Sequence, residues 1–177
     1  MRVPRTFAFV DLSGFTNYTA AYGDDAAGRI LSAFRSLVRE ISSERGVRIA
    51  KWLGDGCMMV SVDQTNAIAF ALDLEQRSAE VCAPLALRVG IATGYALLFE
   101  GDDYIGRPVN MAARLCEAAG PGELLAAGLD RELPDWVEHR GGVTVRATGI
   151  GDISDVAQLS VSPDAWAHSD GSHPSEG

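Results

Sequence analysis

An α/β sandwich, a mixed sheet flanked by helices, is the fold class this sequence predicts, on three observations. Short apolar runs of strand length alternate with longer segments of helical periodicity. Some strand-like runs come in pairs joined by Gly-containing turns, so hairpins are mixed with crossovers. At 177 residues and 47% hydrophobic content, the chain has material for one core and too little for a second full domain.

Thr6 to Val10 reads as the first strand and stops at Asp11, leaving a carboxylate where the chain opens into a Gly-containing turn. From Asp24 to Glu44, Ala27, Ile30, Leu31, Phe34, Leu37, Val38 and Ile41 recur at helical spacing, and Gly46 supplies the stop. Val47 and Ile49 alternate with polar neighbours and Cys57 to Val62 is apolar again, so Leu53-Gly54-Asp55-Gly56 reads as a hairpin tip flanked by Lys51 and Asp55. Thr65 to Ser78 carries Ala67, Phe70, Ala71 and Leu74 on one side, a second helix ahead of a turn near Pro84. Leu85, Leu87, Val89 and Ile91 alternate as a strand that Thr93-Gly94 interrupts before the apolar run Ala96 to Phe99. Pro108 suits the first turn of a helix that Gly120-Pro121-Gly122 ends. The remainder to about Ser162 is strand-like in pieces. The last segment has too little apolar content to order itself, so 1–164 is read as the domain and 165–177 as a disordered tail.

Composition excludes several function classes. A net charge of −9 with no basic run argues against nucleic acid or a membrane surface as partner, because both need clustered Lys and Arg. No apolar stretch approaches the roughly 20 residues that span a bilayer, and no signal-peptide pattern is present, so a cytoplasmic protein is expected. Cys57, Cys82 and Cys116 are widely spaced in apolar sequence, which fits buried thiols and neither a disulfide framework nor a zinc site. His139, His168 and His173 form no pattern, the last two falling in the tail.

Six polar residues set among glycines and apolar runs stand out: Asp11, Lys51, Asp55, Asp103, Asn110 and Arg114. Asp11 and Asp55 adjoin apolar strands at Gly-rich turns, where the backbone can approach a ligand closely. Two such carboxylates suit Mg²⁺ or Mn²⁺, hard ions held by one or two carboxylates plus substrate phosphates. Each aspartate taken alone is more economically a turn cap. Asn110 and Arg114 are four apart after Pro108 and share one helix face, beside the apolar stripe of Val109, Ala112, Ala113 and Cys116. Arg offers a planar fork that matches phosphate oxygens, and Asn a donor and an acceptor for a ribose; a solvated helix edge is the plain alternative. Lys51 and Asp103 form a donor–acceptor pair of the polarity that matches adenine and opposes guanine, although either alone is more economically a surface charge.

The segments F-V-D-L-S-G-F-T at 9–16, K-W-L-G-D at 51–55 and D-Y-I-G-R-P-V-N-M-A-A-R at 103–114 resemble the catalytic domain of class III nucleotide cyclases, bacterial adenylate cyclases in particular. The resemblance covers about residues 5–160 and implies a ferredoxin-like nucleotide cyclase fold. It implies an adenylate cyclase that converts ATP to 3′,5′-cyclic AMP and pyrophosphate, the ribose 3′-oxygen attacking the α-phosphorus in line with two Mg²⁺ or Mn²⁺ ions per site. By the same resemblance Asp11, Leu12 and Asp55 belong to the metal shell, Lys51 and Asp103 read the base, and Asn110 and Arg114 act on ribose and α-phosphate. Backbone N–H groups from Ser13 through Gly14, Phe15 and Thr16 would cradle phosphate. The resemblance further implies a head-to-tail homodimer with composite sites, the metal aspartates from one chain and the other four residues from its partner.

The chain departs from the family's pattern in two places. Only a short stretch separates Thr93-Gly94 from Asp103, where many relatives carry a longer arm that clasps the dimer. Where the family often has a Lys for the terminal phosphates, this chain reads Thr148-Gly149-Ile150-Gly151, with Arg146 the nearest basic residue. A guanylate cyclase would need the opposite polarity at Lys51 and Asp103. A catalytically silent nucleotide-binding or dimerisation module is the reading from another class. A cyclic dinucleotide synthase lacks its G-G-D-E-F-like turn here.

Overall fold

A computed structural model describes residues 1–101, 103–130 and 132–163. The expected tail at 165–177, with His168 and His173, lies outside the described residues. One sheet organises the chain, in the order β2-β3-β1-β4-β6-β8-β7 with β5 paired to β4. The elements are β1 Arg2–Leu12, α1 Phe15–Tyr22, α2 Asp24–Arg45, β2 Arg48–Leu53, β3 Gly56–Ser61, α3 Gln64–Val81, β4 Leu87–Phe99, β5 Asp103–Ile105, α4 Arg107–Ala118, β6 Glu123–Ala127, β7 Val137–Ala147 and β8 Gly151–Val161. Among the described residues only β4 and β6 pair in parallel, with α4 in the crossover between them, and the other pairings are antiparallel. The expected mixed sheet flanked by helices is the one found.

Strand alternation divides the core between the two faces of the sheet. Ala8, Val10 and Leu12 of β1 face α2 and α3 and pack with Phe34, Val38, Ile41, Phe70 and Leu74. Phe7 points the other way, into a smaller cluster with Met58, Val60, Ala92, Tyr104 and Ala112 under α4. Leu115, Leu125, Val145, Ile153 and Val156 extend that second face toward β7 and β8. The helices α2 and α3 are further tied by Arg77, which bridges Glu40 at 2.5 Å and Glu44 at 3.1 Å.

The expected interruption at Thr93-Gly94 is absent: β4 runs unbroken from Leu87 to Phe99. Both residues serve packing instead. The Thr93 hydroxyl lies 2.8 Å from that of Thr6 on β1. A Cβ on Gly94 would stand 3.3 Å from the Pro108 ring, so the glycine makes room for the start of α4. β1 likewise continues through Asp11 to Leu12, because both neighbours stay in register there. Neither α1 nor β5 is expected from the sequence. α1 is eight residues long and rests on the core through Phe15 and Tyr18, neither of them fully buried, and β5 has three residues. Cys57, Cys82 and Cys116 are free and buried, as expected, and burial pushes the Cys57 thiol up to about 12.

Candidate active site

Asp11 and Asp55 meet because β1 lies between β3 and β4. Asp11 pairs across the sheet with Gly56 on one side and Arg88 on the other, and the Leu12 amide donates to the Asp55 carbonyl at 3.1 Å. The tip between β2 and β3 is therefore fixed against the end of β1. Leu53 pairs with Gly56 across a two-residue loop, and Gly54 has φ +60°, the glycine-first pattern of a type II′ turn. Gly56 has a separate reason to be glycine: a Cβ there would stand 2.3 Å from the Val10 carbonyl oxygen and 2.9 Å from Asp11 Cβ.

The two carboxylates feel each other. Burial raises the Asp55 pKa above its ordinary value, and the negative charge of Asp11 raises it further. Arg88 answers that charge. Its Nε donates to Asp11 Oδ1 at 2.9 Å and its Nη2 to Oδ2 at 2.8 Å, a bidentate pair that holds the arginine's pKa above its usual range. Arg88 was not among the expected residues. The only signal in the sequence is one arginine at a polar position of the alternating run Leu87 to Ile91, and its partner is 77 residues away.

A pocket of about 240 Å³ opens beside this pair, lined by Asp11, Asp55, Leu53, Arg114 and Glu117 among others. Arg114 reaches it from α4, where its guanidinium bonds Glu117 at 3.0 Å. α4 sits directly on β4. A Cβ at Gly90 would lie 2.1 Å from the Ala112 carbonyl oxygen and 2.3 Å from the Cys116 amide, and the Cys116 thiol donates to the Arg88 carbonyl at 3.4 Å.

The other expected site residues lie outside that pocket. Lys51 and Asp103 form an ion pair at 2.5 Å that joins β2 to β5, both side chains about half exposed. The hydrogen bond from Lys51, and then its charge, hold the Asp103 carboxyl below its usual range. Asn110 is exposed on the first turns of α4. Gly14 caps α1 in the left-handed conformation, so Phe15 and Thr16 begin a helix whose first-turn amides lack intrahelical partners. The Ser13 amide is not available for a phosphate, since it donates to the Ala86 carbonyl at 2.8 Å. Arg146 is exposed on β7, across from Asp152.

The donors at Asp11 and Asp55 fit a hard divalent ion. They are oxygen ligands in a like-charged pair, and one already draws a cation. Among the described residues no group of three or more His, Cys, Asp or Glu side chains is placed to hold a metal ion. Among the described residues no helix is long and apolar enough to cross a membrane.

No family model matches the chain. An uncharacterized protein of Mycobacterium tuberculosis is 40% identical over 129 residues, 72% of this chain and 34% of that protein. An adenylate cyclase of Streptomyces coelicolor is 35% identical over 111 residues, 63% of this chain and 29% of that protein. The chain thus spans about a third of the length of the curated relatives it matches. Among solved structures, the adenylyl cyclase CyaB from P. aeruginosa superposes with a TM-score of 0.76 at 24% identity, over 100% of this chain and 98% of that one. The guanylate cyclase domain of RhGC from Catenaria anguillulae, in complex with GTP, gives 0.77 at 17% identity over 92% and 98%. At such identities the two structures share the fold with this chain.

Proposed function

Since the chain belongs, by sequence and by fold, with the class III nucleotide cyclase catalytic domains, we propose that it converts ATP to 3′,5′-cyclic AMP and pyrophosphate. One observation carries the reading: a single hairpin, β2–β3, holds Asp55 beside Asp11 and Lys51 against Asp103. Asp11, Asp55 and the Leu12 carbonyl would hold the ions. Bound there, Mg²⁺ or Mn²⁺ supplies acidification of the ribose 3′-hydroxyl and neutralisation of the leaving phosphates.

The chain's own residues do the positioning. Lys51 donates to an acceptor on the base edge and Asp103 accepts from an amine, the polarity of adenine. Arg114 brings a fixed positive charge to the α-phosphoryl oxygens, and Asn110 orients the ribose. Arg88 holds the Asp11 carboxylate in place through both of its oxygens. The first-turn amides Phe15 and Thr16 offer donors to phosphate oxygens.

Composite sites in a homodimer belong to the same proposal. Of the four residues expected from a partner chain, Lys51, Asp103 and Asn110 lie outside the pocket of the metal carboxylates in their own chain, whereas Arg114 lines it; a second copy can bring its own Lys51, Asp103 and Asn110 to that pocket. Tyr95, Leu97, Phe99 and Ile105 on the β4–β5 hairpin are exposed apolar residues suited to the contact.

The test incubates the chain with ATP or GTP and Mn²⁺ or Mg²⁺, with Asp11→Ala as blank, and separates the cyclic products. Cyclic AMP from ATP, absent in the blank, is the expected result. No cyclic product from either nucleotide in a dimeric sample would favour the silent nucleotide-binding module. Lys51→Glu combined with Asp103→Gly is expected to lose the preference for ATP over GTP, read as the ratio of kcat/KM values. An unchanged ratio would remove both residues from base reading.

A further inference from the structure

The hairpin that carries Lys51 and Asp55 is held by an arginine outside the motif. β2 is an edge strand with β3 as its one neighbour in the sheet, and its register slips between Ile49 and Lys51. A bulged edge strand has few backbone constraints of its own; at the turn the Asp55 carbonyl is tied to the Leu12 amide, which leaves β2 and Gly54 to be held from elsewhere. Side chains of α2 supply them. Arg35 and Arg39, one helical turn apart, both lie over the Trp52 ring, at 5.0 and 5.1 Å from its centroid. Arg35 reaches further, its Nη2 donating to the Gly54 carbonyl at 3.2 Å. Its Nε is buried without a hydrogen-bond partner, so the guanidinium is held by the ring and by Gly54.

These contacts act on both site residues of the hairpin. Successive strand residues point to opposite faces, so Trp52 packs toward α2 and the larger core while Lys51 faces β5. Clamping the indole fixes the backbone from which Lys51 projects. The bond to the Gly54 carbonyl fixes the turn from which Asp55 projects. Open space surrounds Gly54, where an added Cβ would meet nothing within 4 Å, so the arginine bond ties the tip to the helix layer.

We infer that Arg35 is a positioning residue of the active site: stacked on Trp52 and bonded to Gly54, it sets the attitude of the β2–β3 tip and with it the aim of Asp55 and Lys51. The consequence for catalysis rests on the cyclase reading; the contacts do not. Lys at this position would keep a charge over the ring but lose the fork that serves ring and carbonyl together.

The test compares the parent chain with Arg35→Met and with Arg77→Met, an arginine whose ion pairs join α2 and α3 away from the tip. Mn²⁺ binding is followed by the electron paramagnetic resonance signal of the free ion, and hydrogen exchange is followed across Leu53–Cys57. Arg35→Met is expected to bind Mn²⁺ about tenfold more weakly, the scale of losing a partner that orients a metal ligand, and to exchange faster at the tip. Arg77→Met is expected to melt lower with Mn²⁺ affinity unchanged. Equal weakening in the two variants, or parent-like binding and exchange in Arg35→Met, would overturn the inference. Should Arg35→Met not fold, Arg35→Lys replaces it, with a smaller shift in the same direction expected and no shift counting against. A parent chain that binds no Mn²⁺ would sink the cyclase reading, and exchange at the tip would still decide the role of Arg35.

Discussion

Asp11→Ala and Asp55→Ala are each expected to lower turnover by about 10³-fold or more, the scale of losing a group aimed at developing charge. Their effects on stability should differ, and that contrast tests the geometry apart from the chemistry. Asp11 satisfies both arms of Arg88, and the pair is mostly shielded, so Asp11→Ala is expected to cost about 1–2 kcal/mol. Asp55 works in the opposite direction. Its folded-state pKa is raised above 3.8, so in the window above 3.8 the unfolded chain gives up the proton that the fold retains. Stability therefore falls as pH rises through that window, and the deficit is complete above the folded-state value. Asp55→Asn removes the deficit. It should melt higher than the parent at pH 7 and alike below pH 3.8, while Asp11→Ala melts lower at pH 7. Thermal melts at the two pH values check the pattern. If Asp55→Asn melted lower at pH 7, the two carboxylates would not be the repelling pair described.

Gly90→Ala carries the second large effect, although residue 90 touches no substrate. Its methyl would need the space of the Ala112 carbonyl, the Leu115 carbonyl carbon and the Cys116 amide, all 2.9 Å or closer. These are backbone atoms in the middle of a helix, and none can rotate away. α4 must lift or β4 must bow, a strain of about 1–3 kcal/mol on the scale of overpacked cores. α4 also carries Asn110 and Arg114, and misplacing reacting groups by 1 Å costs about 10²-fold in rate. The expected result is a lower melting temperature together with about a hundredfold lower kcat/KM. Gly28→Ala is the matched control: it lies in α2 with open space at its Cβ and should gain about 0.5–1 kcal/mol. A Gly90→Ala variant with parental kcat/KM would detach the function of α4 from its seat on β4.

What the sequence disclosed follows from where each element buries its side chains. α2 was legible because Ala27, Ile30, Phe34, Leu37, Val38 and Ile41 are all buried on one stripe. α1 was not, since its eight residues leave room for only one short contact with the core, through Phe15 and Tyr18. Thr93-Gly94 looked like a break because Thr and Gly are common at breaks. Their real constraints, a hydroxyl partner on β1 and the Pro108 ring, come from elements far off in the chain. The candidate site divides the same way. Asp11, Lys51, Asp55, Asp103, Asn110 and Arg114 stand in local motifs. Arg88, Gly90 and Arg35 matter through contacts that only strand register and helix packing create, and none has a neighbour in sequence that announces it.

The place of β1 between β3 and β4 also orders events during synthesis. Asp11 and Arg88 are 77 residues apart, so at about 5–20 residues per second the ribosome takes roughly 4–15 s to deliver the second after the first. For that interval β1 can gather β3 at one edge and α2 and α3 on one face, while its other edge waits for β4 and its other face for α4. The sheet therefore stays open along one edge of β1, with an apolar face uncovered, until β4 and then α4 emerge.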